Sequence, residues 1–188
     1  MQTQKTLSIH EPYHGKFTSA NGHVIDIHCP SLSNIEIEDI AIGLSNTCRF
    51  GGQLKDWYSV AQHSVFVMYL APDELKKEAL MHDAAEAYLG DVIKPLKLIL
   101  GDVYDKLEAS FMKDISYRFG LSPEKLMRVK EFDIQALELE NEALKNGHRM
   151  NMMVTMNKIG MMEDRSHFLW PSLASRHVFL DEFHKLWK

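Results

Sequence analysis

The sequence predicts an all-α fold preceded by a short N-terminal β-hairpin. Segments rich in Ala and Leu recur along the 188 residues, and their apolar positions follow the spacing of amphipathic helices. Gly and Pro separate these segments at short intervals, which is typical of helices joined by tight loops. The first 30 residues differ, because residues 16–19 and 23–28 flank Asn21-Gly22, a pair suited to the positive φ of a hairpin turn.

The helices are predicted in order from local signals. Ser33 followed by Glu36 has the spacing of a capping box, which favours a helix from near Asn34 through Ile40 to Leu44. The glycines at 51 and 52 then end it. Further helices are predicted over residues 58–70, 72–89, 101 or 102 to 119, 123–146 and 174–187, with Pro72, Gly90, Pro95, Gly120 and Pro123 at or near their boundaries.

These elements fit a single domain with a hairpin extension (1–32), core helices (34–146) and a C-terminal part (147–188). The C-terminal part opens with a methionine-rich segment that holds Met150, Met152, Met153, Met156, Met161 and Met162. Flexible thioethers predict adaptable core packing or a subunit contact, and a thioether metal site is the alternative. The charge-rich stretch 138–145 is predicted to be an exposed helix face.

Composition narrows the class of function. Hydrophobic residues make up 45% of the chain and charged residues 25%, as in soluble globular proteins. The formal net charge of −5 provides no basic surface for duplex nucleic acid, so we expect no such partner. The chain has two cysteines, and it shows neither an N-terminal stretch that combines a basic start with an apolar run nor an apolar run of about 20 residues. We therefore expect a cytoplasmic protein without a membrane span.

Metal-binding residue types are spread over 71 positions, as His63, the pair His82-Asp83, and Asp133. Two imidazoles and two carboxylates suit one divalent transition metal, and Mn, Co, Fe and Zn are all compatible. Glu86 follows the pair by three and four residues, so a helix would place its carboxylate on the same face, beside the metal. The alternative is a set of unrelated polar residues on helix surfaces. The histidines near the hairpin are interpreted as surface residues, namely His10, His14, His23 and His28.

The sequence around these residues resembles a known family. Tyr-Ser-Val-Ala-Gln-His-Ser-Val surrounds His63, Gly-Asp-Val-Ile-Lys-Pro-Leu-Lys covers residues 90–97, and Val-Lys-Glu-Phe-Asp ends at Asp133. From about Asp39 to Asp133 the chain resembles the HD-domain metal-dependent phosphohydrolases, specifically the small 5'-deoxynucleotidase and dNTP phosphohydrolase type. The resemblance implies a compact helical bundle in which His63, His82, Asp83 and Asp133 hold the metal. The small phage dATP phosphohydrolases are similar in size and motif layout.

Two carboxylates and an arginine are the predicted chemical groups beside the metal. Glu86 is expected to orient or deprotonate the attacking water, and Asp91 to protonate the leaving 5'-oxygen or steer the water, with the two roles interchangeable at this stage. Arg49 offers a planar fork for phosphate. The resemblance implies that Phe50 packs on the sugar or base.

Weaker candidates for substrate contact surround this set. Lys94 and Lys97 would add positive charge near the phosphate. Trp57 is predicted either to contact substrate or to anchor the core, and Gln62 either to bond substrate or to face another helix.

The expected function is removal of 5'-phosphate from deoxynucleotides, with dATP as the first substrate to test. Hydrolysis of another phosphoester, such as a cyclic or signalling nucleotide, is an enzymatic alternative, and a metal-binding scaffold is a non-enzymatic one. The methionines and the resemblance predict a homo-oligomer, either a dimer or a hexamer. If the chain is phage-encoded, the compartment is the host cytoplasm.

Overall fold

The computed structural model describes residues 15–30, 34–161 and 168–188. Strands β1 (Lys16–Thr18) and β2 (Val24–Asp26) pair antiparallel, with Phe17 opposite Ile25. The predicted hairpin is therefore confirmed. Ser33 lies outside the described residues, and the first helix begins at Ile37 with no side-chain hydrogen bond at its cap residue, Glu36.

Helices make up most of the described chain, which confirms the all-α prediction. They are α1 (Ile37–Asn46), α2 (Val60–Leu70), α3 (Lys76–Met81), α4 (Glu86–Leu89), α5 (Lys94–Leu100), α6 (Asp102–Phe119), α7 (Pro123–Glu140), α8 (Arg149–Lys158) and α9 (Ser172–Leu186). Within the described residues, no helix is both long enough and apolar enough to cross a membrane.

Helix α2 forms the centre of the bundle. Every residue from 60 to 68 is buried, and the helix packs against α1, α3, α7 and α9. A helix that is buried on all sides belongs to the core rather than to an amphipathic surface layer. The hydroxyl of Ser59 accepts a hydrogen bond of 3.1 Å from the Gln62 N–H, which fixes where the helix begins. His63 is consequently held in the interior in a defined position.

The prediction of one helix over residues 72–89 is wrong in one respect, because the observed helix is interrupted at residues 82–85. A 3₁₀ turn at Asp73–Leu75 precedes α3, and a turn separates α3 from α4. In that turn the hydrogen bonds tighten to i→i−3, as from the Glu86 N–H to the Asp83 carbonyl at 2.9 Å. The Ala79 carbonyl lies 2.8 Å from Nδ1 of His82, a side chain at the interruption itself.

Two further elements differ from the sequence-based expectation. Helix α5 was not predicted, and α7 continues into a π-helical turn over Asn141–Lys145. The methionine-rich segment forms α8, where Met152 and Met156 are fully buried and Met150 is 70% exposed. Core packing is thus confirmed for Met152, Met156 and also Met161, which is 8% exposed, while Met162 lies outside the described residues.

Candidate metal centre

Three elements bring the predicted ligands together. His63 comes from α2, His82 and Asp83 from the turn after α3, and Asp133 from α7. The Nε2 atom of His63 lies 3.3 Å from Asp133 Oδ1 and 3.5 Å from Asp83 Oδ2. The Nε2 atom of His82 lies 3.1 Å from Asp83 Oδ2 and 3.8 Å from Asp133 Oδ1. One ligand atom from each of His63, His82 and Asp133 lies within 4.8 Å of the other two.

The unused histidine nitrogens fit a cation at this point. Both Nε2 atoms are buried and have no hydrogen-bond partner among the residues that the structure describes. A buried polar atom without a partner is destabilising unless a ligand satisfies it. The opposite nitrogens face acceptors, since His63 Nδ1 lies 2.6 Å from Glu140 Oε1 and His82 Nδ1 lies 2.8 Å from the Ala79 carbonyl. With Nδ1–H donating, each Nε2 lone pair points to the shared centre, the arrangement that metal-binding histidines adopt.

The charges of the cluster favour a positive species at its centre. Burial by itself lowers the pKa of His82, but Asp83 and Asp133 outweigh it and raise that pKa to about 10. Burial likewise opposes ionisation of Asp133, yet the two histidines hold its pKa well below the usual range. The raised pKa of His82 favours a protonated imidazole when no cation is bound. A divalent cation would have to displace that proton, because the ligand form of histidine is neutral.

Glu140 is the residue that the sequence analysis missed. Its side chain is fully buried and accepts hydrogen bonds from Tyr58 Oη at 2.8 Å and Arg49 Nη2 at 3.0 Å, in addition to facing His63. Burial opposes its ionisation, but Arg49 and His63 lower its pKa below the ordinary value. The prediction of an exposed face over 138–145 is therefore wrong at Glu140. A usable signal existed, since Glu140 follows Asp133 by seven residues, or two helical turns, and shares its face.

Arg49 lies beside the predicted ligands, as expected from the sequence, and has two carboxylate neighbours there. Its Nη2 donates to Glu140, and its Nη1 lies 3.7 Å from Asp83 Oδ2. The side chain is 8% exposed, and its Nε is buried with no hydrogen-bond partner in the described parts of the chain. Glu140 thus fixes one edge of the guanidinium and leaves Nε available. Contact between Arg49 and a phosphate stays a prediction.

Glu86 and Asp91 flank the ligand set on the side of α4. Glu86 is 5% exposed; its Oε1 lies 3.7 Å from Lys97 Nζ, and its Oε2 has no partner within the described residues. Burial, with Asp83 and Asp91 nearby, raises the pKa of Glu86 well above its ordinary value. Burial also raises the pKa of Asp91, although Arg49 and the Phe50 N–H act in the opposite direction. Two neighbouring carboxyls with raised pKa values are typical of sites that exchange protons.

Phe50 begins a left-handed loop next to Arg49. Its φ of 58° is unusual for a residue with a side chain, and Gly51 and Gly52 follow with φ of 61° and 73°. The half-buried ring has Lys145 Nζ 4.5 Å and the Arg49 guanidinium carbon 5.5 Å from its centroid. The loop also brings the Phe50 N–H to Asp91. Packing of this ring on a sugar or base stays a prediction.

Three weaker candidates lie away from the ligands or are occupied elsewhere. Lys94 is exposed. The lysine that lies near Glu86 is Lys97, whose Nζ is 3.7 Å from Glu86 Oε1. The Gln62 amide bonds the Phe168 carbonyl and the Trp170 N–H, each at 2.9 Å, so it faces another part of the chain rather than substrate. Trp57 is 41% exposed and lines a separate surface pocket with residues 169–172, so it is not a core anchor, and its contact with substrate stays a prediction.

A cavity of about 480 Å³ opens onto the ligands from the side of α6 and α7. Its polar edge is formed by His82, Asp83, Lys130 and Asp133. Its apolar wall is formed by Met112, Leu126, Met127 and Val129. The volume is in the range of small-molecule sites, which combine apolar walls with a few polar groups.

Comparison with known proteins places the chain among relatives without assigning an activity. No family model matches it. It is 46% identical over 111 residues to the uncharacterized protein YfdR of Escherichia coli, an alignment that covers 59% of this chain and 62% of that protein's length. It is 36% identical over 137 residues to an uncharacterized protein of Rhodobacter capsulatus, covering 66% of this chain and 70% of the relative.

Proposed function

The chain belongs to the same family as the Rhodobacter capsulatus protein, and we propose that it is a metal-dependent phosphohydrolase that removes 5'-phosphate from deoxynucleotides. One observation carries the proposal: two buried histidine Nε2 atoms, with no hydrogen-bond partner in the described parts of the chain, converge with two carboxylates, beside a pair of carboxyls whose pKa values are raised. A purely structural metal site has no need of the second pair.

The proposed metal ligands are His63, His82, Asp83 and Asp133. A divalent transition metal bound there, such as Mn, Co, Fe or Zn, would supply Lewis acidity toward the phosphate ester. The protein's own part is to hold the imidazoles in one tautomer, and Glu140 and the Ala79 carbonyl do this from behind.

Proton transfer is assigned to Glu86 and Asp91. A general base works best with a pKa near the working pH, and the raised pKa of Glu86 moves it in that direction. We assign Glu86 to the attacking water because its Oε2 is unpaired within the described residues and therefore available. Asp91 is assigned to the leaving 5'-oxygen. It accepts a hydrogen bond from the Phe50 N–H, and the charge of Arg49 acts on its pKa.

Binding of the substrate is assigned to charged and apolar residues around the proposed metal ligands. Arg49 and Lys97 provide positive charge near Glu86 and Asp83, which suits the phosphate. The apolar wall that includes Met112, Leu126 and Val129 provides a surface for the nucleoside. The choice of deoxynucleotides, with dATP tested first, rests on the family resemblance of the motifs.

The test is phosphate release from a panel of dNMPs, dNDPs, dNTPs and the matching ribonucleotides, with Mn, Co, Fe, Zn or Mg added back to metal-stripped protein. We expect metal-dependent cleavage of deoxynucleotides by the wild-type chain. Asp133→Ala is the matched inactive control, because it removes one ligand while leaving Glu86 and Asp91 in place.

The panel separates the alternatives. Cleavage restricted to cyclic or signalling nucleotides, added as a second panel, would move the assignment to another phosphoester. Tight metal binding with no cleavage of either panel would overturn the enzymatic proposal and leave a metal-binding scaffold.

A further inference from the structure

Lys130 holds the second oxygen of a predicted metal ligand, Asp133. Its Nζ donates a hydrogen bond of 2.6 Å to Asp133 Oδ2. The other oxygen, Asp133 Oδ1, lies 3.3 Å from His63 Nε2 and 3.8 Å from His82 Nε2. The two oxygens of this carboxylate therefore have different partners, the histidines for Oδ1 and the lysine for Oδ2.

The geometry of α7 explains this contact. Lys130 lies three residues before Asp133 on the helix, so the two side chains share one face. Side chains on a helix lean toward its N-terminus, which brings the Asp133 carboxylate back over the turn that carries Lys130. The lysine side chain is 70% exposed and that of Asp133 is 17% exposed. An ion pair with so exposed a lysine contributes little to the stability of the fold.

The number of ligand atoms is what this contact controls. Asp83 faces the two histidine nitrogens through its Oδ2, at 3.1 Å and 3.5 Å. With Asp133 Oδ1, the predicted ligands then offer two nitrogens and two oxygens. A carboxylate can bind a cation through one oxygen or through both. Because Asp133 Oδ2 is bonded to Lys130, it is not available as a fifth ligand atom.

We propose that Lys130 is a positioning residue, which restricts Asp133 to one ligand oxygen and so keeps one more coordination position of the bound cation open for water or substrate. Catalytic metal sites differ from structural ones in keeping such a position open. Lys130 and Asp133 both line the cavity of about 480 Å³ through which small molecules would reach the ligands. This role of Lys130 rests on the metal ligands of the proposed function and not on the reaction.

The proposed role predicts an effect on metal affinity of a definite sign. Lys130 competes with the cation for Asp133 and carries a charge of the same sign. Its removal should therefore tighten metal binding while one open position is lost. A lysine that merely supported the fold around Asp133 would have the opposite effect on metal affinity when removed.

The first test measures Mn(II) alone on the metal-stripped full chain, without substrate. Manganese takes about six ligands, so four from the protein leave two positions for water. In Lys130→Met the freed Asp133 Oδ2 should occupy one of them, and the water-proton relaxation per bound Mn(II) should fall by about half. Lys130→Arg, which keeps the ion pair, should retain the wild-type relaxation.

The second test is the Kd for Mn(II), measured by electron paramagnetic resonance of the free ion. Lys130→Met should bind Mn(II) about twofold to fivefold more tightly, the effect expected of one exposed charge. Lys106→Met is the matched control, because Lys106 forms an exposed pair with Asp102 on α6, at 3.6 Å. It should leave both the Kd and the relaxation unchanged.

The outcomes separate this role from the proposed function. Wild-type relaxation or weaker Mn(II) binding in Lys130→Met would overturn the positioning role, as would a wild-type chain that binds no Mn(II). A raised KM with both metal measurements unchanged would also overturn it and would assign Lys130 to the substrate. If both metal measurements change as expected in a chain that cleaves no nucleotide, the positioning role is supported and the phosphohydrolase proposal fails.

Discussion

Two buried glutamates near the candidate metal ligands show how their surroundings shift the pKa of one residue type in opposite directions. Glu140 and Glu86 are 0% and 5% exposed. Glu140 faces His63, Tyr58 and Arg49 at 2.6 to 3.0 Å, and its pKa is lowered. Glu86 has Lys97 at 3.7 Å and one oxygen with no partner among the described residues, and its pKa is raised.

The comparison shows that burial alone does not set the charge of a carboxylate. Desolvation opposes ionisation at both positions, but the donors around Glu140 outweigh it and those around Glu86 do not. A carboxylate with a full set of hydrogen-bond donors, such as Glu140, can hold a neighbouring side chain such as His63 in position. One that lacks them can exchange a proton.

The largest expected effect comes from Glu86→Gln. If Glu86 exchanges the proton, phosphohydrolase turnover should fall by about 10² to 10⁴-fold. The metal content should stay at the wild-type level, because His63, His82, Asp83 and Asp133 are unchanged. Turnover and bound metal are measured on the same samples. Glu142→Gln, a change at an exposed glutamate, is the control, and wild-type turnover in Glu86→Gln would remove this residue from the mechanism.

Glu140→Gln should affect metal affinity and stability instead. Loss of the charge that orients His63 should weaken metal binding by about 10 to 100-fold, as measured by competition with a chelator. Arg49 would lose its closest buried counter-ion, so the free energy of unfolding should fall by about 3 to 5 kcal/mol. Adding Arg49→Met should recover part of that loss in urea unfolding. Wild-type metal affinity in Glu140→Gln would contradict the positioning role.

Lys97→Met should sharpen the comparison by removing the cation nearest to Glu86. Lys97 lowers the pKa of Glu86 against the stronger effect of burial, so the variant should have a still higher Glu86 pKa. A base acts only when deprotonated, and the acid limb of the kcat/KM profile should therefore move to higher pH. Lys185→Met, an exposed change on α9, should leave the profile where it is. A limb that moves to lower pH would contradict the assignment of Glu86 as base.

Asp39 extends the comparison to a third buried carboxylate, on α1. It receives hydrogen bonds from Ser19 Oγ at 2.7 Å and Asn21 Nδ2 at 2.9 Å, and His23 Nδ1 lies 2.7 Å away. Burial opposes its ionisation, but these partners lower its pKa. His23, interpreted from sequence as a surface residue, is thus part of a contact between the hairpin turn and the bundle.

Asp39→Asn should consequently lower the free energy of unfolding by about 1 to 3 kcal/mol at neutral pH, with little change in metal affinity. A lowered folded pKa contributes stability that is complete above the unfolded value of about 3.9 and disappears as pH falls through the folded pKa. The difference between variant and wild type should shrink over that acidic range. Unfolding curves at several pH values check this, with Glu38→Gln, at an exposed neighbour, as control. A difference that persists in acid would point to packing instead.

Elements with local signals could be predicted from the sequence. The hairpin has Asn21-Gly22, α2 has its Ser59 cap, and α7 has Ser122 with Pro123 at its first position. The candidate ligand residues could be named because their flanking motifs resemble those of a known family. The interruption at 82–85 could not be predicted, because the Ala and Leu content of residues 80–88 favours a continuous helix.

The sequence by itself determined the helical class, the hairpin and the types of side chain available to hold a cation. Tertiary structure decided which of those side chains meet and in which charge state. Glu140 contacts His63, which lies 77 positions earlier in the chain. The Gln62 amide is hydrogen-bonded to backbone groups more than 100 positions away. Helix packing sets such distances and the burial that goes with them. Donor placement and desolvation fix pKa values, so the opposite pKa shifts of Glu86 and Glu140 appear only in the folded chain.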